Sequence, residues 1–277
     1  MQQFVDHSAV RAIGSATAQS AENHRLAPFA SRLAAFLYGV ASYALFLATF
    51  LYACGFVGGF LVPRTIDGAP VGPLWQSLLI DFALLALFGV QHSVMARPAF
   101  KRWWTQFIPE AAERSTYVLA SSLALVALFV FWQPLGGRVW HFEPGLIANL
   151  LWVVFGFGWG LVLVTTFLIN HFDLFGLRQV WLHLLGRPYR PLKFVTPGPY
   201  RLVRHPLYVG WLLAFWATPT MSMAHFVFAS LMAIYILIAI QYEERDLVAY
   251  HGEEYQEYRR RVAMLVPRIA GGNRRGR

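Results

Sequence analysis

A single cysteine, Cys54, stands in a chain of 277 residues. No disulfide can close within it, and no cysteine-based metal site can form. Charge is scarce too: Asp, Glu, Lys and Arg make up 13% of the residues, against roughly 25% in an ordinary soluble domain. No glycine-rich turn follows a strand to open a helix, which excludes the common soluble nucleotide pocket. His171 and His183 lack compact ligand spacing, and no histidine pair at i and i+4 comes with a third ligand, so no metal site is expected. Residues 1–31 contain Arg11 and Arg25 but no apolar core ahead of a cleavage site. A signal peptide is therefore not read there, and the stretch is expected to be a mobile or surface-lying arm.

Apolar residues are abundant. They make up 57% of the chain, with ten tryptophans and 23 phenylalanines, and they come in blocks as long as a bilayer is thick. The expected fold is all-α: a polytopic membrane helix bundle of four spans, a C-terminal helical hairpin and a cytoplasmic tail helix. It is read as one domain over 32–277, with its ligand site in 170–267. The spans are expected at Leu33–Val62, Leu74–Ala96, Thr116–Leu135 and Leu146–Ile169. Gly55, Gly58 and Gly59 in the first and Gly156, Gly158 and Gly160 in the fourth point to close helix packing. Residues 207–242 are apolar again, broken by "TPTMS" at 218–222. As one helix these 36 residues would run roughly 54 Å, nearly twice the bilayer core. Pro219 disfavours helix at Thr218, so the segment is read as a hairpin with its tip near 218–225.

If the N-terminus is cytoplasmic, the segments outside the membrane hold only Arg64 and Arg138, and the other 21 of the 23 basic residues lie inside. This is the positive-inside pattern. It accounts for the net charge of +9 without nucleic acid. The hairpin then returns "QYEER" (241–245) to the level of "RHP" (204–206), so Glu243 and Glu244 meet Arg204, His205 and Tyr208 at one membrane face. Taken singly, Arg204 is a snorkelling interface residue, Pro206 a helix start and the glutamates a solvated helix end. Together, bases and an aromatic facing acids at the mouth of a hairpin point to a zwitterionic ligand.

"TPGPYRLVRHPLYVGWLLAFWATP" (196–219) followed by "EERDLVAYHGEEYQEYRRRVAMLVP" (243–267) resembles the isoprenylcysteine carboxyl methyltransferase-like superfamily. The shared pattern is Arg-His-Pro-x-Tyr, a membrane hairpin, Glu-Glu and a Gly-x-x-Tyr-x-x-Tyr tail. "NHFDLFGLRQVW" (170–181) and "QHSVMARPAFKRWW" (91–104) resemble one branch, the bacterial methanethiol S-methyltransferases. The resemblance implies transfer of a methyl group from S-adenosylmethionine to a small thiol, with the lipid bilayer as surroundings and no obligate protein partner. Arg204 and His205 would then meet the cofactor's carboxylate, and Glu243 or Glu244 its ammonium or ribose. The adenine would lie against Val195–Tyr200 and Tyr208, with Gly198 allowing close backbone approach. Tyr255 and Tyr258 either close this pocket or dock the tail helix.

A thiolate is the nucleophile in such a displacement, because a thiol is a poor one. His171, at the end of the fourth span, is the candidate for deprotonation, with Asp173 to raise its basicity if the helix ends there. Arg178 and Gln179 are expected to position the acceptor or the cofactor carboxylate. His92 is expected to line the same pocket, its rival role being a hydrogen bond between helices. Asp81 lies inside the second span without a visible partner; His141 and His225 fall on the far side. Three other readings compete: carboxyl methylation of a prenylated cysteine, a nicotinamide-dependent reductase, and a non-enzymatic subunit of nitrogen-oxide metabolism. The reductase would need a second cluster for the extra phosphates, and none is found.

Overall fold

The computed structural model describes residues 27–192 and 195–267; most of the N-terminal arm expected at 1–31 lies outside them. Among the described residues, five helices are long and apolar enough to cross a membrane: α1 (Phe29–Gly58), α2 (Leu74–Met95), α4 (Glu110–Phe131), α5 (Leu146–Leu168) and α9 (Met223–His251). Between them lie short α3 (Pro98–Trp104), strand β1 (Arg138–His141), α6 (His171–Leu174), α7 (Leu177–Leu184), α8 (Pro206–Trp216) and strand β2 (Thr220–Ser222). The tail helix is α10 (Glu253–Arg261). Large apolar side chains such as Leu37, Leu51, Leu79, Val153 and Phe157 point outward. An apolar exterior around an apolar interior is what lipid requires of a helix bundle. The chain is an integral membrane protein.

The boundaries follow local chemistry. α1 stops four residues before the expected Val62, because Gly59 adopts the left-handed conformation (φ 75°) and returns its N–H to the Gly55 carbonyl at 2.8 Å. α4 starts six residues earlier than expected. Pro109 precedes it, and Glu110 and Glu113 occupy its first turn, where acids favour the helix dipole. It ends early as well. Pro134 holds the residue before it out of the helical region, and Trp132 is already extended (φ −53°, ψ 136°). The fourth span, α5, lies along α8. A Cβ on Gly158 would come within 2.7 Å of the Ala214 backbone nitrogen and 2.8 Å of the Gly210 carbonyl, so only glycine permits this approach. Gly156 and Gly160 have open space beside them, which corrects the expectation that all three serve helix packing.

The hairpin forms, with unequal arms. From Tyr208 to the end of α8 is roughly 12 Å of helix, and the six residues after it add about 20 Å if extended. The return from Met223 to Glu243 is about 30 Å of helix, so the two arms match in depth. The tip is a strand: β2 pairs antiparallel with β1, Trp140 opposite Met221 and His141 opposite Thr220. Among the described residues, this two-stranded ribbon is the sheet that the all-α expectation did not include. Ser222 closes the turn, accepting the His225 N–H at 3.1 Å. Asp81 finds its partner at the same end of the bundle: Oδ1 accepts the backbone N–H of Gln133 at 2.8 Å. The core beneath is largely aromatic, with Phe56, Phe129, Trp132, Phe215 and Phe228 buried against one another.

Candidate functional site

The opposite end of the bundle gathers the polar residues. After α5, Asn170 takes a positive φ (86°) and its side chain accepts the Asp173 N–H. Gly176, also left-handed, then turns the chain into α7. A Cβ on Gly176 would collide with Ser115 and Arg114 of α4. These two turns press α6 onto α4 and bury His171 at 3% exposure.

His171 stacks on Phe167 with ring centroids 4.2 Å apart. Its Nδ1 lies 2.8 Å from Thr166 Oγ1 and its Nε2 2.8 Å from the Tyr43 hydroxyl. Thr166 donates its only hydrogen to the Leu163 carbonyl, so Oγ1 accepts from Nδ1–H. Nε2 then carries the lone pair and accepts from Tyr43. Burial lowers the pKa of His171 below its ordinary value, which keeps the ring neutral at pH 7.

Asp173 does not reach His171, contrary to the expected dyad. It accepts from Arg178 at 2.8 Å, from Tyr189 at 3.2 Å and, through its carbonyl, from Gln179 at 3.0 Å. Arg178 also binds the Arg190 carbonyl at 3.2 Å. The cause is the Gly176 turn, which folds α7 back beside Asp173. Arg178 and Gln179 therefore hold Asp173 and the 189–190 segment, and neither belongs to the walls of the two cavities described below. His92 is likewise held between helices, 3.1 Å from Ser121 Oγ and 2.8 Å from the Tyr117 hydroxyl, and lines neither cavity. For His92 the inter-helix hydrogen bond is the observed arrangement.

On the hairpin, the Arg-His-Pro segment and the two glutamates meet, and the acids divide their tasks. Glu244, 5% exposed, is enclosed by nitrogen groups: Arg204 Nε at 2.7 Å, His205 Nε2 at 3.1 Å and Arg259 Nε at 3.2 Å. Glu243 accepts from the Tyr208 hydroxyl at 2.9 Å and lies 3.9 Å from His205 Nδ1. Arg204 Nη1 donates to the Arg259 and Val262 carbonyls. The chain after α10 runs beside 203–205, with Arg204 N–H on the Ala263 carbonyl at 2.8 Å and His205 N–H on Met264 at 3.2 Å. Tyr258 donates to the Tyr200 carbonyl at 2.6 Å. Burial pushes the Tyr258 hydroxyl up to about 12 and raises Tyr200 and Tyr255 as well, so all three stay protonated donors.

Two adjoining cavities result. The larger, about 510 Å³, is lined by Arg114, Asn170, His171, Asp173, Tyr250 and His251 among apolar neighbours. The smaller, about 50 Å³, is lined by Tyr200, Arg204, His205, Tyr208, Glu243, Tyr255 and Tyr258 among others. Ile169 and Val195 belong to both walls. Gly198 lines neither; with φ +51° it opens the turn Gly198–Arg201. Glu244 sits behind the smaller cavity. Sequence reasoning passed over Arg114, Tyr43, Thr166 and Tyr189. Arg114 had a signal: Pro109 followed by Glu110 and Glu113 is a helix start, which places Arg114 inside the helix instead of in a basic loop. Tyr43 and Thr166 lie within apolar runs that give none.

The bundle of membrane helices carries a polar, two-chambered pocket at the mouth of a hairpin, and the phospholipid methyltransferase family model matches residues 153–254. The chain belongs to the methanethiol S-methyltransferase family. It is 56% identical to the methanethiol S-methyltransferase of Crocosphaera subtropica over 87% of this chain and 94% of that protein. It is 50% identical to the methanethiol S-methyltransferase of Mycobacterium tuberculosis over 83% of this chain and 95% of that protein. Nurim of Rattus norvegicus is 33% identical over 62% of this chain and 68% of that protein. No solved structure matches the chain. The protein is a membrane methyltransferase.

Proposed function

We propose that this enzyme transfers the methyl group of S-adenosylmethionine to methanethiol, giving dimethyl sulfide. The observation that carries the reading is the pair of cavities sharing Ile169 and Val195, one holding the Glu243–Tyr208 pair and the other His171. The relatives' names supply the acceptor.

The residues fit the methyl donor. A ligand of nucleoside size needs a cavity of roughly 300–1,000 Å³, and the larger chamber has about 510 Å³. Its ammonium has a half-buried carboxylate in Glu243, with Tyr208 and His205 orienting that carboxylate. Glu244 is already satisfied by two arginines and a histidine, so it braces Arg204 and the tail instead. Tyr200, Tyr255 and Tyr258 supply aromatic wall. When bound, S-adenosylmethionine supplies an electrophilic methyl carbon on a sulfonium.

His171 is the proton acceptor. Thr166 fixes its tautomer and leaves the Nε2 lone pair available once the thiol replaces the Tyr43 hydroxyl as its partner. Asp173 acts at one remove, through Arg178 and Tyr189, by fixing the chain that borders the larger cavity. The aromatic surroundings of His171, Phe167, Phe172 and Phe175, exclude water from the thiolate. The basic-residue distribution supports a bacterial cytoplasmic membrane with both termini and this site on the cytoplasmic side, where the methyl donor is made. A C-terminal reporter active only in the cytoplasm should be active; silence there with activity in a periplasmic reporter contradicts the orientation.

For the ligand, calorimetry on the purified protein in detergent should detect S-adenosylmethionine and its demethylated product. Absence of binding for both, in protein with an intact cooperative melt, contradicts the proposal.

A further inference from the structure

Arg114 is the only lysine or arginine that is buried among the described residues, at 5% exposure. Other cations drawn in at this end of the bundle have a carboxylate: Arg97 with Asp246, Lys101 with Glu113, Arg178 with Asp173, Arg204 with Glu244. Arg114 has no ion pair among the described residues. Its Nε donates to the Leu174 carbonyl at 2.8 Å, and its guanidinium lies 5.1 Å over the Tyr117 ring. That hydrogen bond fixes the group against α6 and leaves its remaining N–H donors without a protein acceptor among the described residues. Arg114 also sits near the start of α4, where the helix dipole adds positive potential. A desolvated cation without a counter-ion is costly, and this one lines the larger cavity together with His171.

We infer that Arg114 binds the sulfur of the acceptor as its thiolate. The inference rests on the reading of the enzyme as a thiol methyltransferase. The rival anion is the donor's carboxylate. In an amino acid the ammonium and the carboxylate hang on one carbon, so a carboxylate whose ammonium meets Glu243 stays at the smaller chamber. Glu243 lines only that chamber and Arg114 only the larger one. The thiol S–H bond breaks and its proton goes to His171 Nε2. The electron pair left on sulfur faces the guanidinium N–H groups. That pair then forms the new bond to the methyl carbon, while the pair of the cleaved carbon–sulfonium bond remains on the donor's sulfur. A fixed cation beside the sulfur favours ionisation of the thiol, as it does for low-pKa cysteines.

The test uses full-length Arg114→Gln and Arg114→Lys in detergent. Affinity for the demethylated donor, read by calorimetry, should stay within about threefold of wild type. kcat/KM for methanethiol should fall about 100-fold in the Gln variant at pH 7. The deficit should shrink as pH rises and the thiol ionises unaided, and Lys should restore part of it. A parallel loss of product affinity assigns Arg114 to the donor carboxylate and overturns the inference. So does a deficit independent of pH, or none. A lower melting temperature in Gln is controlled by Lys, which keeps the charge: a folded Lys variant as slow as Gln, with a flat pH response, also overturns it. Failure of the wild-type protein to methylate any thiol overturns both this inference and the reading beneath it.

Discussion

Glu243→Ala is expected to weaken binding of S-adenosylmethionine by roughly 30-fold or more while leaving the protein folded, whereas Glu244→Ala destabilises the fold. The two acids are adjacent in sequence and do different work. Glu243 accepts from the Tyr208 hydroxyl and lines the smaller cavity. Removing one partner of a buried charge pair costs about 2–5 kcal/mol, or roughly 30-fold to several thousand-fold in affinity. Glu244 holds Arg204, His205 and Arg259 together, with the tail pinned beside them. Its removal leaves the largely enclosed Arg204 without its acid, a loss of up to about 3–5 kcal/mol in stability. Calorimetry with the demethylated donor and a thermal melt on both variants check this. The assignment is reversed if Glu244→Ala melts like wild type and loses the ligand, with Glu243→Ala unaffected.

His171→Ala is expected to lower kcat by about 10²–10⁴-fold, the usual worth of a positioned general base, with donor affinity unchanged. Its pH dependence is specific. Burial depresses the pKa of His171, so the neutral, proton-accepting form persists below the ordinary histidine value of about 6.5. Wild-type activity should therefore fall on the acid side only below that pH, as the ring becomes charged. In His171→Ala that limb disappears, and the rate keeps rising with pH until the thiol ionises by itself, above about 8.5 for an ordinary thiol. Stopped assays across pH 5–10 measure both limbs. Unchanged kcat in the variant, or the same acid limb, ends the assignment. The sign for stability agrees: a histidine with depressed folded-state pKa favours the folded protein at neutral pH and loses that contribution as pH falls.

The meeting of Arg204 and His205 with the glutamates was legible because it needs only topology. A run too long for one helix must fold back, and Pro219 marks where. The tip is a strand instead of a tight turn, since extended residues supply the depth that eleven-residue α8 lacks. Which glutamate faces the smaller cavity was not legible. Successive helical residues differ by about 100°, and only the contacts of α10 and the tail decide which one is enclosed. The site around His171 was half legible. Its depth followed from the end of the fourth span, but Asp173 turned to Arg178 and Tyr189 because the left-handed residues Asn170 and Gly176 redirect the backbone. Arg114 was hidden by the positive-inside count itself, which absorbed it as one more cytoplasmic charge.

The central claim is that methyl transfer to a small thiol occurs in the chamber between His171 and Glu243. The most direct measurement gives the purified protein methyl-labelled S-adenosylmethionine and methanethiol in a sealed vial and samples the headspace. The account predicts labelled dimethyl sulfide, produced by wild type and lost in Glu243→Ala and His171→Ala. Contradiction would be an empty headspace from folded wild-type protein, or label appearing instead on a prenylated cysteine carboxylate supplied in competition.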